Sequence, residues 1–416
     1  MALNVLILAE TIDVDTSSAG KANFAMITSL LAENVILKVY HYSHKEVHIP
    51  GIKTILIQEN KKDFYYWLSR AQRIFQRNTK INFSKLLEAR FGFSFTFKND
   101  VNSMVAVLQK EVPSSYDVVL CLSKGSSFRT HAALLKLPQY HRKWMAYVHD
   151  PYPFNWYPNP YNWKEAGSLQ KEHFFKEVAN SAMWLGYPSE HLRVWMGQFD
   201  LNFKEKGVLL PHQIPHRISR KTLPDFFDSN DFNVLHAGNL LEQRNPFYLI
   251  EAWGLFLEAR PNARNCSQLL LIGPGNFHEP KLSELCSTEE TIYRYSGFMD
   301  YGVVLELERQ SSVNIVLEAE ADISPFLPAK FPNLILTNRP LLHLGPKKSE
   351  VRRLLGSDYS CVAELQDTQA IANQLILLFD RWNSGELHIQ SYSADLKYYL
   401  SSAYLKETLN HLITMH

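Results

Sequence analysis

The sequence predicts an α/β chain built from two tandem parallel sheets, each wrapped by helices and followed by a helical tail. Three observations lead there. Short apolar runs rich in Val, Ile and Leu alternate with stretches of helical period through both halves of the chain. The alternation pauses in a proline-bearing stretch of mixed polarity between about Glu205 and Asp231, then restarts. At 416 residues the chain is also long enough for two or three domains that each bury a core.

In order, the apolar run Asn4–Glu10 reads as a first strand, and a polar loop leads to a helix over Ala22–Glu33. Strands follow at Val35–Tyr42 and Ile52–Gln58. Helical pattern dominates Phe64–Arg90 and Asp100–Gln109, and Asp117–Leu122 returns to strand. A helix near Phe128–Leu135 precedes a strand at Lys143–Val148. The stretch Pro151–Trp163 is dense in proline and aromatic residues, so it is expected as an ordered loop before a helix at Leu169–Asn180. The second half gives strands at Asn233–Ala237, Gln268–Ile272, Glu290–Tyr295, Asn314–Glu318 and Pro340–Leu344. Its helices are expected over Pro246–Ala259, Val303–Ser311, Leu327–Leu336, Thr368–Trp382 and Ala394–Met415. The expected domains are 1–205, a linker 206–231, and 232–393, with the helix 394–416 packing back on the first.

Composition narrows the function classes. Lys plus Arg number 43 against 42 Asp plus Glu, a net charge of +1, which gives no footing for nucleic-acid binding. The four cysteines form no CxxC pair and no zinc-spaced Cys/His cluster, so a reducing compartment fits. The amino terminus lacks a basic segment before its apolar run, which reads as strand and not as a signal peptide. With no apolar stretch of about 18–20 residues, no membrane span is expected. The expected location is the cytoplasm, with peripheral contact at the cytoplasmic membrane face.

Ligands of open parallel sheets bind beyond the carboxyl ends of the strands, so residues just after strands are the candidates. The loop Thr11–Gly20 ends in Ser17-Ser18-Ala19-Gly20 at a helix start, where Ser18 and Gly20 suit a phosphate; an ordinary helix cap fits the same residues. Asp13 and Asp15 in that loop form a D-x-D pair able to hold a divalent cation, although a solvated loop explains them better, and no metal is expected. His149-Asp150 closes a strand ahead of the aromatic loop, a place for a sugar contact or a proton transfer, with rings that pack on sugar faces. Gly238-Asn239 follows the first strand of the second half, and Arg244 stands before Pro246 at a helix start with a cationic fork for phosphate oxygens. The turn Gly273-Pro274-Gly275 lets backbone approach a flat base, or simply turns. Ser324, Phe326 and Lys330 lie at a strand-to-helix junction, where Lys330 reads as a diphosphate ligand or a surface lysine.

The order strand, Gly238, Arg244-Asn245-Pro246, then Leu-Leu-Leu-Ile-Gly-Pro-Gly, then Ser-Pro-Phe-Leu-Pro-Ala-Lys-Phe, then Asn-Arg-Pro-Leu-Leu resembles the C-terminal half of family-four-type retaining glycosyltransferases. The likeness is good over Phe232–Leu344 and looser over Asn4–Asp150. It implies the GT-B fold, two Rossmann-like domains facing a cleft, and a nucleoside diphosphate sugar as co-substrate, UDP- or GDP-linked, with no other cofactor. It implies Arg244 and Lys330 as the cations on the diphosphate, Gly20 as an amide donor to the same phosphates, His149 at the donor sugar and Gly273–Gly275 at the base. The resemblance further implies transfer to a hydroxyl acceptor, a glycan or a lipid-linked glycan, with retention and without a metal. The chain departs from the family in two places. Asn239 stands where Arg is common, and the usual pair of glutamates eight apart falls near Pro325 and on Asn333. A nucleotide-sugar epimerase and a catalytically degenerate binding protein on the same scaffold are the competing readings.

Segment 59–90 carries eight Lys/Arg and three Asp/Glu, a net of +5, interleaved with Phe64, Tyr65, Tyr66, Trp67, Phe75 and Phe83. Such a segment fits weak association with an anionic membrane, and equally an ordinary surface helix.

Overall fold

A computed structural model describes residues 3–80, 83–216, 221–387 and 390–415 of the chain. The chain forms two compact units. The first comprises Met1–Tyr157, Tyr161–His216 and Ser401–His416, the second Pro158–Pro160 and Arg217–Leu400.

The first unit is a seven-stranded sheet of β1 (Asn4–Ala9), β2 (Ile36–His41), β3 (Lys53–Leu56), β4 (Val118–Leu122), β5 (Trp144–Tyr147), β6 (Trp184–Tyr187) and β7 (Gly207–Leu209), in the order β3-β2-β1-β4-β5-β6-β7. Every pairing is parallel. The inner strands are buried on both faces, which is why they read as unbroken apolar runs and not as alternation. Helices α1 (Ser18–Ala32), α2 (Phe64–Thr79), α3 (Phe83–Phe91), α4 (Phe95–Leu108), α5 (Arg129–Leu135), α6 (Ser168–Ser181), α7 (Glu190–Met196) and α8 (Leu201–Glu205) connect the strands. Several helix starts are fixed by side-chain caps, with Ser17, Asp63, Ser94, Ser189 and Asp200 each accepting from a backbone N–H of the first turn.

The second unit pairs β8 (Phe232–Ala237), β9 (Ser267–Ile272), β10 (Ile292–Tyr295), β11 (Val313–Leu317), β13 (Leu341–Leu344) and β15 (Val362–Ala363) in the order β10-β9-β8-β11-β13-β15, all parallel. A small separate pair joins β12 (Ile323–Ser324) to β14 (Lys348–Ser349). Helices α9 (Phe247–Ala259), α10 (Glu279–Thr288), α11 (Tyr301–Gln310), α12 (Phe331–Thr337), α13 (Glu350–Leu355), α14 (Thr368–Asn383) and α15 (Ala394–Tyr399) belong to this unit, and α16 (Ser402–Thr414) to the first.

Four sequence expectations change. The helical stretch 64–90 is two helices, because Lys80 takes the left-handed conformation, φ 59°, at the end of α2; residues 81 and 82 lie outside the described residues. The tail is also two helices, with Ser401 capping the second, whose Leu405 and Leu409 join the core containing Val5 and Ile7. The stretch 206–231 is not one free linker. Its start forms β7 and buries Leu210 in the first unit, its end packs Phe226 and Phe227 on the second sheet, and 217–220 lie outside the described residues. Finally, α12 begins at Phe331 and not at Leu327. The proline in its first turn is Pro332, and Phe331 N–H turns back to the Pro328 carbonyl.

Candidate functional site

The second unit gathers buried charge at the carboxyl ends of β8 and β11, which are neighbours in the sheet. Lys330, just before α12, turns inward. Its Nζ donates to the carbonyl of Ala237 at 3.1 Å and to that of Ile315 at 2.8 Å. An ammonium has three N–H bonds, so the backbone takes two of them and fixes the direction of the third. Burial brings its pKa down from 10.5 to about 8; Glu308 works against that fall and Arg244 adds to it. The lysine therefore stays charged at neutral pH.

Arg244 is half-buried in the loop ahead of α9, its N–H bonded to the Leu241 carbonyl at 2.8 Å. Its charge lowers the pKa of both Lys330 and His236. His236 is buried in β8. Neither ring nitrogen has a geometrically sound hydrogen-bond partner, and the Ile315 carbonyl that acts on the ring also accepts from Lys330. Burial first, then the charges of Lys330 and Arg244, hold its pKa well below 6.5, so the ring is neutral. A side chain at Gly238 would point at His236 Nε2, 3.5 Å away, and Lys330 Nζ, 3.9 Å away, which sets the Gly238 backbone over both groups. Asn239 beside it is exposed.

Gly273 has φ 129°, and a Cβ there would run into the Gly238 carbonyl. The glycine lets the loops after β8 and β9 abut, with Gly238 N–H bonded to Ile272 O at 2.8 Å and Leu240 N–H to Pro274 O at 2.9 Å. A Cβ on Gly275 would stand 2.9 Å from Arg294 Nη2, and Arg294 is itself paired with Glu279 at 2.7 Å. Packing of the two loops thus accounts for this turn. Ser324 is buried in β12 and Phe326 is half-buried. Asn333 is buried on α12 and donates to the Tyr301 hydroxyl at 3.1 Å, so its amide is tied to α11. With only seven residues, α12 offers little dipole, and the positive charge at this junction is that of the Lys330 side chain.

Sequence reasoning passed over a second buried cluster at the end of β11 and β13. Glu318 Oε2 accepts from His343 Nε2 at 3.0 Å, and Arg352 Nε donates to His343 Nδ1 at 3.2 Å. These bonds assign the ring proton to Nε2. Glu318 Oε1 is buried without a partner. The available signal was a carboxylate closing the apolar run Asn314–Glu318, where core composition alone would not place one.

In the first unit, Ser17 caps α1 and its Oγ accepts the Gly20 N–H at 3.1 Å. A Cβ on Gly20 would overlap the Asp13 carbonyl oxygen. Gly20 is explained by that close approach, and its amide is already used, which corrects the expectation that it is presented to a phosphate; Ser18 opens the helix beside it. Lys45 Nζ stands 3.4 Å from Asp13 and 3.1 Å from Asp15, so the D-x-D pair is held by a cation of the chain itself. No group of three or more metal-ligating side chains occurs among the described residues.

His149 follows β5 and is buried. It stacks on His212 with ring centroids 5.9 Å apart, meets Tyr147 edge-on, and leaves Nε2 without a partner. Burial, then His212 and His131, keep its pKa well below 6.5. The ring can therefore exchange hydrogen bonds with a hydroxyl, but carrying a proton through an imidazolium is costly here. Asp150 is half-buried, with Tyr157 in its field. The aromatic loop packs largely on itself and on the core, with Trp156 stacked on Phe199 at 4.4 Å and Phe154 on Trp163 at 4.8 Å, which leaves Trp163 as its exposed ring. Beneath it, Glu10 accepts from Arg129 at 2.8 Å, Arg129 donates to Asp100 at 2.9 Å, and Tyr42 donates to Asp100 at 2.8 Å. This network ties together segments far apart in sequence.

No protein-family model matches the chain, and no curated protein matches it. Solved structures do. HepE of Anabaena, in complex with UDP and glucose, superposes with a TM-score of 0.65 at 11% identity over 100% of both chains. TarM of S. aureus, as a point mutant in complex with fondaparinux, alpha-GlcNAc-glycerol and UDP, gives 0.62 at 10% identity over 99% of each chain. A glycosyltransferase from Rickettsia africae gives 0.54 at 12% identity over 100% of this chain and 96% of that one. At such identities the likeness speaks for architecture: the chain has the two-domain, parallel-sheet fold of these proteins, the GT-B fold.

Proposed function

We propose that the protein is a glycosyltransferase that moves a sugar from a nucleoside diphosphate sugar, UDP-linked first among the candidates, to a hydroxyl of a glycan or lipid-linked glycan. The observation that carries this reading is the ammonium of Lys330. It is fixed by the carbonyl that ends β8 and by one within β11, in the field of Arg244 and under the Gly238 backbone, near where an open parallel sheet takes its ligand. The solved structures named above with UDP bound favour the same donor class.

On this reading, departure of the diphosphate builds negative charge, and Lys330 and Arg244 stabilise it in place of a metal ion. The reaction retains the anomeric configuration. The leaving phosphate takes the acceptor proton, so no side-chain base is needed, which agrees with a neutral His149. Gly238, Asn239, Gly273 and Gly275 border the nucleotide, with Ser324 and Phe326 beside the phosphates and Asn333 behind them. A thermal-shift screen over UDP-, GDP-, dTDP- and ADP-sugars tests it. A donor raises the melting temperature by mass action, and Arg244→Ala removes the rise. Release of nucleoside diphosphate only when acceptor is present separates a transferase from an epimerase and from a binding protein. If no nucleotide sugar shifts the melting temperature, the reading is wrong.

A further inference from the structure

The helix pair α2–α3 is built inside out. Seven of the twenty exposed large hydrophobic side chains among the described residues lie between positions 64 and 91. On α2, Phe64, Trp67, Ala71, Ile74 and Phe75 follow the spacing i, i+3, i+7, i+10, i+11, which is one stripe of a helix. That stripe faces outward, with Phe64 70%, Trp67 65% and Ile74 53% exposed.

The stripe that faces the fold is largely polar. Ser69 is buried, Tyr65 stacks on Phe95 of α4, and Asp63 accepts from Asn102 at 2.9 Å. Gln72 and Gln76 both bond Ser84 of α3, at 2.5 and 3.1 Å. Phe75 meets Phe83 edge-on at 5.7 Å, so the outer apolar surface continues onto α3 and reaches Leu86. The exposed Arg70, Arg73 and Arg77 form a row along one flank of the apolar stripe, with Lys61, Lys62, Lys80, Lys85 and Arg90 around it. Segment 59–90 keeps its net charge of +5.

An apolar stripe beside a cationic row can be covered in water by a second copy of the chain, by an acidic protein or by a lipid surface. A second copy would bring two cationic rows together. A protein partner would have to offer a long apolar groove bordered by acids. An anionic bilayer offers both features at once, an apolar layer under a negative plane, to a helix lying flat. We propose that the outer face of α2–α3 is a docking surface for anionic lipid, with Phe64, Trp67, Ile74, Phe75 and Phe83 entering the headgroup region and the arginine row meeting lipid phosphates. This does not rest on the proposed transferase activity.

The test is sedimentation of the full chain with phosphatidylcholine vesicles, with and without phosphatidylglycerol, at low and high salt. Binding should require the anionic lipid and weaken with salt. Arg73→Gln with Arg77→Gln should lower the partition coefficient about thirtyfold, and Trp67→Glu with Phe75→Glu should abolish binding. All four side chains are exposed, so the melting temperature and the UDP response of both variants should match the parent. Equal binding to both vesicle types, binding untouched by either double variant, or a concentration-dependent dimer abolished by Trp67→Glu with Phe75→Glu would each overturn the proposal.

Discussion

Substitution of Lys330 by methionine separates what the lysine does for the fold from what it does for a ligand. Two effects on stability oppose one another. The pKa of the half-buried Lys330 falls from 10.5 to about 8, and at 1.36 kcal/mol per pH unit the fold gives up about 3 kcal/mol to keep it charged. Methionine, similar in length, removes that penalty. It also deprives the carbonyls of Ala237 and Ile315 of a donor, at about 1–3 kcal/mol each if nothing replaces it. The balance runs from about 1 kcal/mol gained to about 3 kcal/mol lost in unfolding free energy. Ligand binding has no such compensation. Loss of one charge-assisted hydrogen bond to phosphate is worth about 1.5–3 kcal/mol, roughly a tenfold to 150-fold loss of UDP affinity. Urea unfolding gives the first quantity and isothermal titration with UDP the second. A variant that binds UDP as the parent does removes Lys330 from the site. A variant that no longer folds shows that the lysine serves the architecture, and the argument from its burial fails with it.

Two further outcomes follow from titration. A phosphate ligand needs Lys330 protonated, so UDP affinity should be flat near neutral pH and fall as pH rises past about 8, by up to about tenfold per pH unit; in Lys330→Met this fall should vanish, and a fall that persists points to another group. Burial in the first unit holds His41 and His212 at about 4 and His131 at about 3, with His149 also far below 6.5. Because the unfolded chain takes up these protons first, their contribution is fully present above pH 6.5 and is lost as pH falls towards 4. The loss is about 1.4 kcal/mol per group for each pH unit. Urea midpoints of the unliganded protein that stay constant from about pH 7 to about pH 5 would contradict this.

The parallel architecture was legible because strands buried on both faces need continuous apolar runs, and β1, β4, β8, β9 and β11 each have one. Strands β6 and β7 escaped, since four and three residues carry no period and their place comes from pairing along β5. Helix breaks were hidden for a similar reason. Nothing in the composition near Lys80 announces a left-handed residue, whereas Ser401 as a cap was readable in principle. At the site, residues that follow strands were visible one at a time. What the sequence could not convey is which way each points. Lys330 turns inward to backbone carbonyls, Gly20 spends its amide on Ser17, and Asn333 faces Tyr301. The apolar stripe of α2 was visible as well, but its outward orientation depends on the polar contacts that anchor the opposite face.

Three polar groups at one end of the second sheet, His236, Glu318 and Lys330, say more together than any one of them does alone. A core selected for stability alone hydrogen-bonds its buried polar groups. Among the described residues of the second unit, buried side-chain atoms without a partner are spread over Asn233, Ser267, Arg294, Asn314 and Gln374 as well, and His236 and Glu318 are the ones toward the carboxyl ends of β8 and β11. His236 is buried with two unpartnered ring nitrogens, Glu318 holds one buried carboxylate oxygen without a donor, and Lys330 is charged at a cost to the fold. Lys330 could be replaced by an apolar residue of similar size at a small net change in stability, whereas removing Glu318 alone would take the carboxylate acceptor from His343 Nε2. Proteins keep such groups where function requires them, and the strain shows as local inconsistency with an otherwise well-formed fold. The same strand ends carry Gly238 and Gly273, whose abutting backbones leave no room for a side chain at Gly273. Positive charge, unmet hydrogen bonds and bare backbone together suit an anionic, hydroxyl-rich ligand, and a nucleoside diphosphate sugar has both properties. A merely degenerate scaffold, freed from binding, would be expected to fill these positions with apolar residues, and here they are still polar.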